Sequence, residues 1–340
     1  MSARRVSIAF QTDLPLAAYG PLAATAEAHG FDVVSVYNDL LYQPAWLPLL
    51  EIARATRRVA LGPAAVNPFT CHPINIAGNI ALLDEASGGR AYLGLARGAW
   101  LDFVGLQPAR PVRALREACE AVRHLLRRSR EPYRGEVFPL AGGDSLRWTI
   151  PRPDLPFLLG TWGAATIRAC IADVGEVKVG GTANPALVPR YLATIGDAAE
   201  AAGRKRADVG LAVGCVCVVD RDGRVARDAA RRKVALYLGV IADLDPTLGV
   251  EPDRLARIRA AAAKYDFVAA AREIPDALLA RVALAGTPDD VGAQADALYA
   301  AGVHRVEFGT PHGLSEEEGL RLLGEQVLPA LRRDWDVGRG

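Results

Sequence analysis

The chain has 340 residues, of which 51% are hydrophobic and 23% charged, with a formal net charge of +1. That composition suits a large globular core and excludes extensive disorder, while basic residues spread among acidic ones leave no footprint for nucleic acid. No run reaches the roughly 18 apolar residues of a membrane-spanning helix, and Arg4-Arg5 leads into a strand-like run with no signal-type apolar region before it.

From end to end, β-prone apolar runs alternate with helical patterns. The first strand is Val6–Phe10, followed by a helix over Tyr19–His29 that stops at Gly30. Val33–Tyr37 is the second strand and Pro48–Thr56 the next helix; Val59–Val66 is the third, with a helix over Asn75–Ser87 ending at Gly88-Gly89. The fourth strand, Ala91–Ala96, precedes an amphipathic helix from Val112 to Leu126. Prolines and glycines then break the rhythm over residues 131–153, where Glu136–Leu140 and Leu146–Ile150 predict a β-hairpin insertion.

Alternation resumes with strand Phe157–Gly160, helix Ala164–Ala172, strand Glu176–Val179, helix Pro185–Ala202, strand Val209–Val219 and helix Arg224–Leu238. Residues 243–285 form a second irregular insertion with a helical core from Asp253 to Ala271. The chain closes with helix Asp289–Ala301, strand Arg305–Phe308 and helix Ser315–Leu331. Eight strands, each followed by a helix, predict parallel pairing with right-handed crossovers and an α/β (β/α)8 TIM barrel with insertions, one domain over residues 1–340. An open doubly wound sheet is the competing architecture, but no Gly-x-Gly-x-x-Gly follows the first strand.

In such a barrel the chemistry sits at the C-terminal ends of the strands. Those positions are Asn38-Asp39, the run Val66–Pro73, Arg97–Trp100, Gly160–Gly163, Gly180–Asn184 and Gly309–Gly313. Gly160-Thr161-Trp162-Gly163 runs straight into a helix, and Gly180-Gly181-Thr182 precedes another, so their backbone N–H groups can face an anion. Each loop alone is ordinary turn chemistry; as neighbours they make a phosphate site. Asp39 at a strand end can position a ring or exchange a proton, and acidic residues there also cap turns. His72, before Pro73, is a second titrating candidate, and His312 a weaker one. Trp46, Trp100 and Trp162 fall near the same mouth, where tryptophans receive a planar ring or simply fill the rim.

No His-x-His or His-x-x-x-His pair offers a metal site, no Gly-x-Ser-x-Gly an esterase elbow, and no Walker-type loop a nucleotidase. The five cysteines, an odd number without a Cys-x-x-Cys pair, read as buried thiols of a reducing cytoplasm.

Several of these runs, in order and spacing, resemble the luciferase-like monooxygenase superfamily, within it the F420-dependent methylenetetrahydromethanopterin reductase type. They are Leu61-Gly62-Pro63-Ala64-Ala65-Val66-Asn67-Pro68, Leu83-Asp84 with Ser87-Gly88-Gly89-Arg90, Gly286-Thr287-Pro288-Asp289-Asp290, and Gly309-Thr310-Pro311 with Leu322-Leu323-Gly324-Glu325. The resemblance implies a barrel that dimerises through helices near strands two and three. It also implies a non-prolyl cis peptide at Ala64–Ala65, in a bulge behind the cofactor ring. It places Asp39 and the Asn67–His72 loop beside the ring, and Gly160, Thr161, Trp162, Gly163, Gly180, Gly181 and Thr182 around the cofactor's phosphate; Ala64, Ala65, Val66, Asn67, Arg97 and Gly98 are further expected cofactor-binding residues. In the methanopterin reductases the second strand typically ends in Asp-His, whereas this chain has Asn38-Asp39-Leu40, so the pterin substrate is not carried over.

The expected function is hydride transfer between coenzyme F420 and a small organic substrate, with Asp39 or His72 managing the proton and Trp100 and the 243–285 insertion covering the substrate. The alternatives are an FMN-dependent two-component monooxygenase on the same barrel and a non-catalytic cofactor-binding protein.

Overall fold

The computed structural model describes residues 4–337. Nine parallel strands make one sheet among them: β1 (Arg5–Phe10), β2 (Val33–Val36), β3 (Ala60–Pro63), β4 (Leu93–Ala96), β5 (Phe157–Gly160), β6 (Glu176–Gly180), β7 (Gly210–Val219), β8 (Ala283–Gly286) and β9 (Arg305–His312). The order runs β3-β2-β1-β9-β7-β6-β5-β4, with β8 beside β7. Strands packed against helices outside and against the barrel interior inside leave neither face to water, and nearly every strand position is buried.

The ring closes between β3 and β4 through two isolated bridges, Leu61–Ala91 and Val66–Leu95. Glycines permit that approach. A Cβ on Gly62 would lie 2.1 Å from the Tyr92 carbonyl oxygen, and one on Gly94 2.1 Å from that of Pro63. Between the bridges the chain leaves the ladder, and the Ala64 N–H donates to the Val36 carbonyl of β2 (2.8 Å). This is the (β/α)8 barrel with insertions that the alternation predicts.

The departures have physical causes. The expected strand Val59–Val66 ends at Pro63 because the bulge removes Ala64 and Ala65 from the ladder. The hairpin expected in 131–153 is reduced to one antiparallel bridge, Tyr133–Leu140. The N–H groups of Val137 and Phe138, which a hairpin would use, donate instead to the Glu117 carboxylate (2.7 and 3.2 Å). The helix expected over Asp253–Ala271 breaks into Pro252–Ala262 and Phe267–Arg272, with Tyr265 at φ +57° and Asp266 capping the second piece.

β8 lies within the stretch expected to be irregular. Ala283-Leu284-Ala285-Gly286 has no β-branched residue to announce a strand, yet all four residues are buried and pair with Val216–Val219. Since β9 occupies one edge of β7 over Ala212–Val218, β6 and β8 share the other, one after the other. The helix after β7 runs Gly223–Leu244, longer than expected, and with β8 builds a second core beside the main one; Trp162 packs against both.

The barrel axis is charged. In β9 Val306 and Phe308 join the apolar core, while the alternate residues Arg305 and Glu307, also fully buried, reach across the interior. Arg305 pairs with Glu176 (2.5 Å) and Glu307 (3.2 Å) and bonds Ser7 (3.0 Å); Glu307 pairs with Lys178 and accepts from Ser35 (2.6 Å). Two cations face two carboxylates, so the buried charge balances. Burial would raise Glu176, but Arg305 and His304 beside it outweigh that and hold it down to about 2. Burial likewise opposes ionisation of Glu307, and Lys178 and Arg305 overcome it.

Candidate active site

The mouth above this charged layer is built from strand ends. Beyond β2, Asn38 and Asp39 divide the work that the sequence leaves open for an acid. Turn capping falls to Asn38, whose side-chain oxygen accepts from the Ala45 N–H (3.0 Å). Asp39 makes a lateral contact, accepting from Gln11 Nε2 beyond β1 (3.0 Å). Gln11 is itself fixed, its Oε1 accepting from the Thr12 N–H (2.9 Å). Burial pushes the Asp39 carboxyl above its ordinary range, and the Gln11 amide and the Lys178 ammonium pull it partly back.

The Ala64–Ala65 peptide is cis. Both alanines are half-buried, whereas Val66 and Asn67 are buried. The Asn67 side-chain oxygen accepts from the Phe69 and Thr70 N–H groups (3.0 and 2.9 Å) and so shapes the loop that follows. Gly98, at φ +82°, lies against Asn67, where a Cβ would be 3.0 Å from the amide nitrogen. Arg97 is exposed beside it. A Cβ on Gly160 would sit 3.2 Å from that of Ala96 and 3.9 Å from that of Ala65, so small residues of β3, β4 and β5 form one continuous floor.

The two glycine loops are physically joined, since the Trp162 indole N–H donates to the Gly180 carbonyl (3.0 Å). Thr161 Oγ1 accepts from the Gly163 N–H (3.0 Å), and the helix Ala164–Cys170 begins without a side-chain cap. At the second loop the Gly181 N–H is given to the Gly214 carbonyl (2.7 Å), and Thr182 is buried, its hydroxyl accepting from the Asn184 N–H (3.1 Å). Space on the ligand side opens at Gly180, where a Cβ would meet nothing within 4 Å.

His72 stands apart from Asp39. It is exposed, its Nδ1 accepts from the Ile74 N–H (3.2 Å) as N-cap of the helix Pro73–Ala86, and its ring lies edge-on to Phe138 of the first insertion. His312 is buried between the Ala9 carbonyl (3.0 Å) and Glu316 (3.1 Å). Trp46 packs against the main core. Trp100 reaches the mouth, at φ +54°, with its ring 6.3 Å from that of Tyr237.

Sequence reasoning missed Tyr237, Gln11, Lys178 and Glu307. Tyr237 lies mid-helix, where nothing local points it at a mouth; burial, with Asp39 and Tyr42 nearby, pushes its hydroxyl up to about 12. Lys178 and Glu307 did leave a signal. Glu-Val-Lys-Val and Arg-Val-Glu-Phe alternate charge and apolar side chain with the period of a strand.

The site can therefore hold a flat ring on a floor of small residues, an anionic tail near the joined glycine loops, and a proton on a half-buried acid. The chain is similar to known proteins along nearly its whole length. The chain is 28% identical over 317 residues to 5,10-methylenetetrahydromethanopterin reductase of Archaeoglobus fulgidus, covering 90% of this chain and 93% of that protein. It is also 28% identical to an F420-dependent glucose-6-phosphate dehydrogenase of Microbacterium testaceum, covering 91% of each. The solved F420-dependent tetrahydromethanopterin reductase of Methanopyrus kandleri superposes with a TM-score of 0.89 at 26% identity, over 97% of this chain and 100% of that one. Residues 5–305 match the family model described as luciferase-like monooxygenase, and the chain belongs to that family.

Proposed function

We propose that the chain is a coenzyme F420-dependent oxidoreductase that moves a hydride between the deazaflavin C5 and a small organic substrate. What carries the reading is the floor of Ala64, Ala65 and Gly160 beside the joined glycine loops, on a chain similar over nine-tenths of its length to F420-dependent enzymes. The bound deazaflavin supplies the hydride chemistry at C5. The chain supplies position and charge. Ala64, Ala65, Val66, Asn67, Arg97 and Gly98 flank the ring, and the loops Gly160–Gly163 and Gly180–Thr182 receive the phosphate-bearing tail. Asp39 exchanges the accompanying proton at its carboxylate. Trp100 and Tyr237 cover the substrate and exclude water.

Equilibrium titration of the purified protein with F420 and, separately, with FMN tests this. Saturable F420 binding well tighter than FMN binding is expected; tight binding of FMN alone overturns it. The family's monooxygenases make an FMN-dependent reaction the rival, and oxygen consumption with reduced FMN would favour that rival.

The same reading extends to assembly and compartment. The adjoining helices Trp46–Ala55 and Pro73–Ala86 leave Leu47, Ile74 and Leu82 exposed, which suits a homodimer. The five free thiols suit the cytoplasm. Sedimentation at monomer mass across the micromolar range would remove the dimer.

A further inference from the structure

We propose that Lys178 is a positioning residue of the mouth: its ammonium, anchored inside the barrel by Glu307, sets the charge state in which Asp39 meets the substrate. The proposal rests on the reading of Asp39 as the proton-handling group.

Lys178 is 6% exposed and projects into the barrel from near the C-terminal end of β6, between the outward-packed Val177 and Val179. Its ammonium pairs with Glu307 and lies 5.1 Å from the centre of the Tyr37 ring, two residues before Asp39. Deeper in the barrel Arg305 and Glu176 satisfy each other, so Lys178 and Glu307 form the upper half of the network. A buried lysine–glutamate pair is a poor source of stability, because apolar replacements often serve as well. Its place directly under the mouth offers a different role.

The groups acting on Asp39 come from several elements. Gln11 donates to it from beyond β1, and the Tyr42 and Tyr237 hydroxyls, on the next loop and on the helix Gly223–Leu244, lie within reach of its charge, which raises them. Tyr37 faces it from its own segment, and Lys178 from β6. Of these, Lys178 alone carries a positive charge. Without that charge, a carboxyl shielded from water and ringed by phenols would favour the neutral acid. With it, the carboxylate form gains ground against the burial that opposes it. Glu307 keeps the ammonium in place.

The test reads Asp39 itself in the protein without cofactor. Its protonation is followed by carbon NMR or by the carboxyl infrared band, identified by its loss in Asp39→Asn. Lys178→Met should raise the midpoint by about one pH unit or more, an increase of about tenfold in proton affinity. Lys178→Arg, which keeps the cation, should restore most of the shift. The double variant Lys178→Met/Glu307→Gln, which leaves no orphaned carboxylate if the single variant folds poorly, should shift upward too. An unmoved midpoint in the Met variants, or an Arg variant that shifts as far as Met, overturns the proposal. The role of Asp39 fails separately, if Asp39→Asn turns over at the wild-type rate.

Discussion

The Trp162 indole donates its N–H to the Gly180 carbonyl at 3.0 Å, so one side chain holds the loop after β5 against the loop after β6. Its ring also meets Tyr191 edge-on, and the Tyr191 hydroxyl donates to the Trp162 carbonyl. Trp162→Phe keeps the aromatic packing and removes the indole donor, a bond of about 1 kcal/mol. Affinity for F420, read by fluorescence titration, should fall about fivefold with little change in melting temperature. Unchanged affinity would mean that the loops do not act together.

A side chain at Gly94 should damage the barrel where β3 and β4 meet. The atom that a Cβ would strike, at 2.1 Å, is a backbone oxygen of the bulge and has no freedom to rotate away. Gly94→Ala is expected to cost about 3 kcal/mol in urea unfolding. Gly292→Ala is the control: that glycine lies within the helix Pro288–Ala300, a Cβ there meets nothing within 4 Å, and the change should be neutral or stabilise by up to about 1 kcal/mol. Equal effects at the two sites would contradict the close approach.

The charged axis predicts an acid limb in stability. Glu176 titrates at about 2 in the folded chain, against about 4.3 when unfolded. Its depressed value contributes stability that is complete above the unfolded value and disappears as pH falls through the folded one. Glu307, also depressed, acts with the same sign. Glu176→Gln should cost about 3 kcal/mol at neutral pH, because Arg305 loses one of its two carboxylate partners, and should flatten the decline toward about pH 3. Urea midpoints across that range decide it, and a variant declining as steeply as wild type would not fit.

Asp39 should show in turnover. Its carboxyl titrates above the ordinary range, chiefly through burial, so the rate should fall on the acid side of a midpoint higher than that of a free aspartate. Asp39→Asn should lower kcat about a hundredfold and abolish that limb in any assay that follows F420 oxidation or reduction. His72→Ala should leave the limb in place, since that imidazole caps a helix beside Phe138. Loss of the limb in the His72 variant would reassign the proton.

Much of the barrel could be read directly, because parallel strands must be apolar and the intervening helices are bounded by glycine and proline. Ala283–Gly286 escaped because alanine and leucine carry no strand signature; its partner Val216–Val219 makes it a strand. The hairpin failed for a long-range reason, a carboxylate from another helix taking the Val137 and Phe138 donors. Loop positions at strand ends found Asp39 and the glycines. Lys178 showed only as the charge of an alternating strand and Tyr237 not at all, because tertiary placement brings a strand interior and a mid-helix residue to the mouth. His72, singled out beside Pro73, is also the N-cap of the Pro-bearing helix start.

The shared edge of β7 bears on how such an enzyme could change its diet. The second insertion begins at Asp245, buried and tied to Asn184 and Thr247, and returns through Ala283–Gly286 as part of the wall. Both ends are therefore fixed to the scaffold, and the stretch between them packs on the helix Gly223–Leu244 through Ile258, Ala270 and Ile274. Segments exchanged inside those anchors would remodel selection above the ring and leave the floor, the loops and the charged axis untouched. An exchange that cut through Ala283–Gly286 would unzip the upper half of β7.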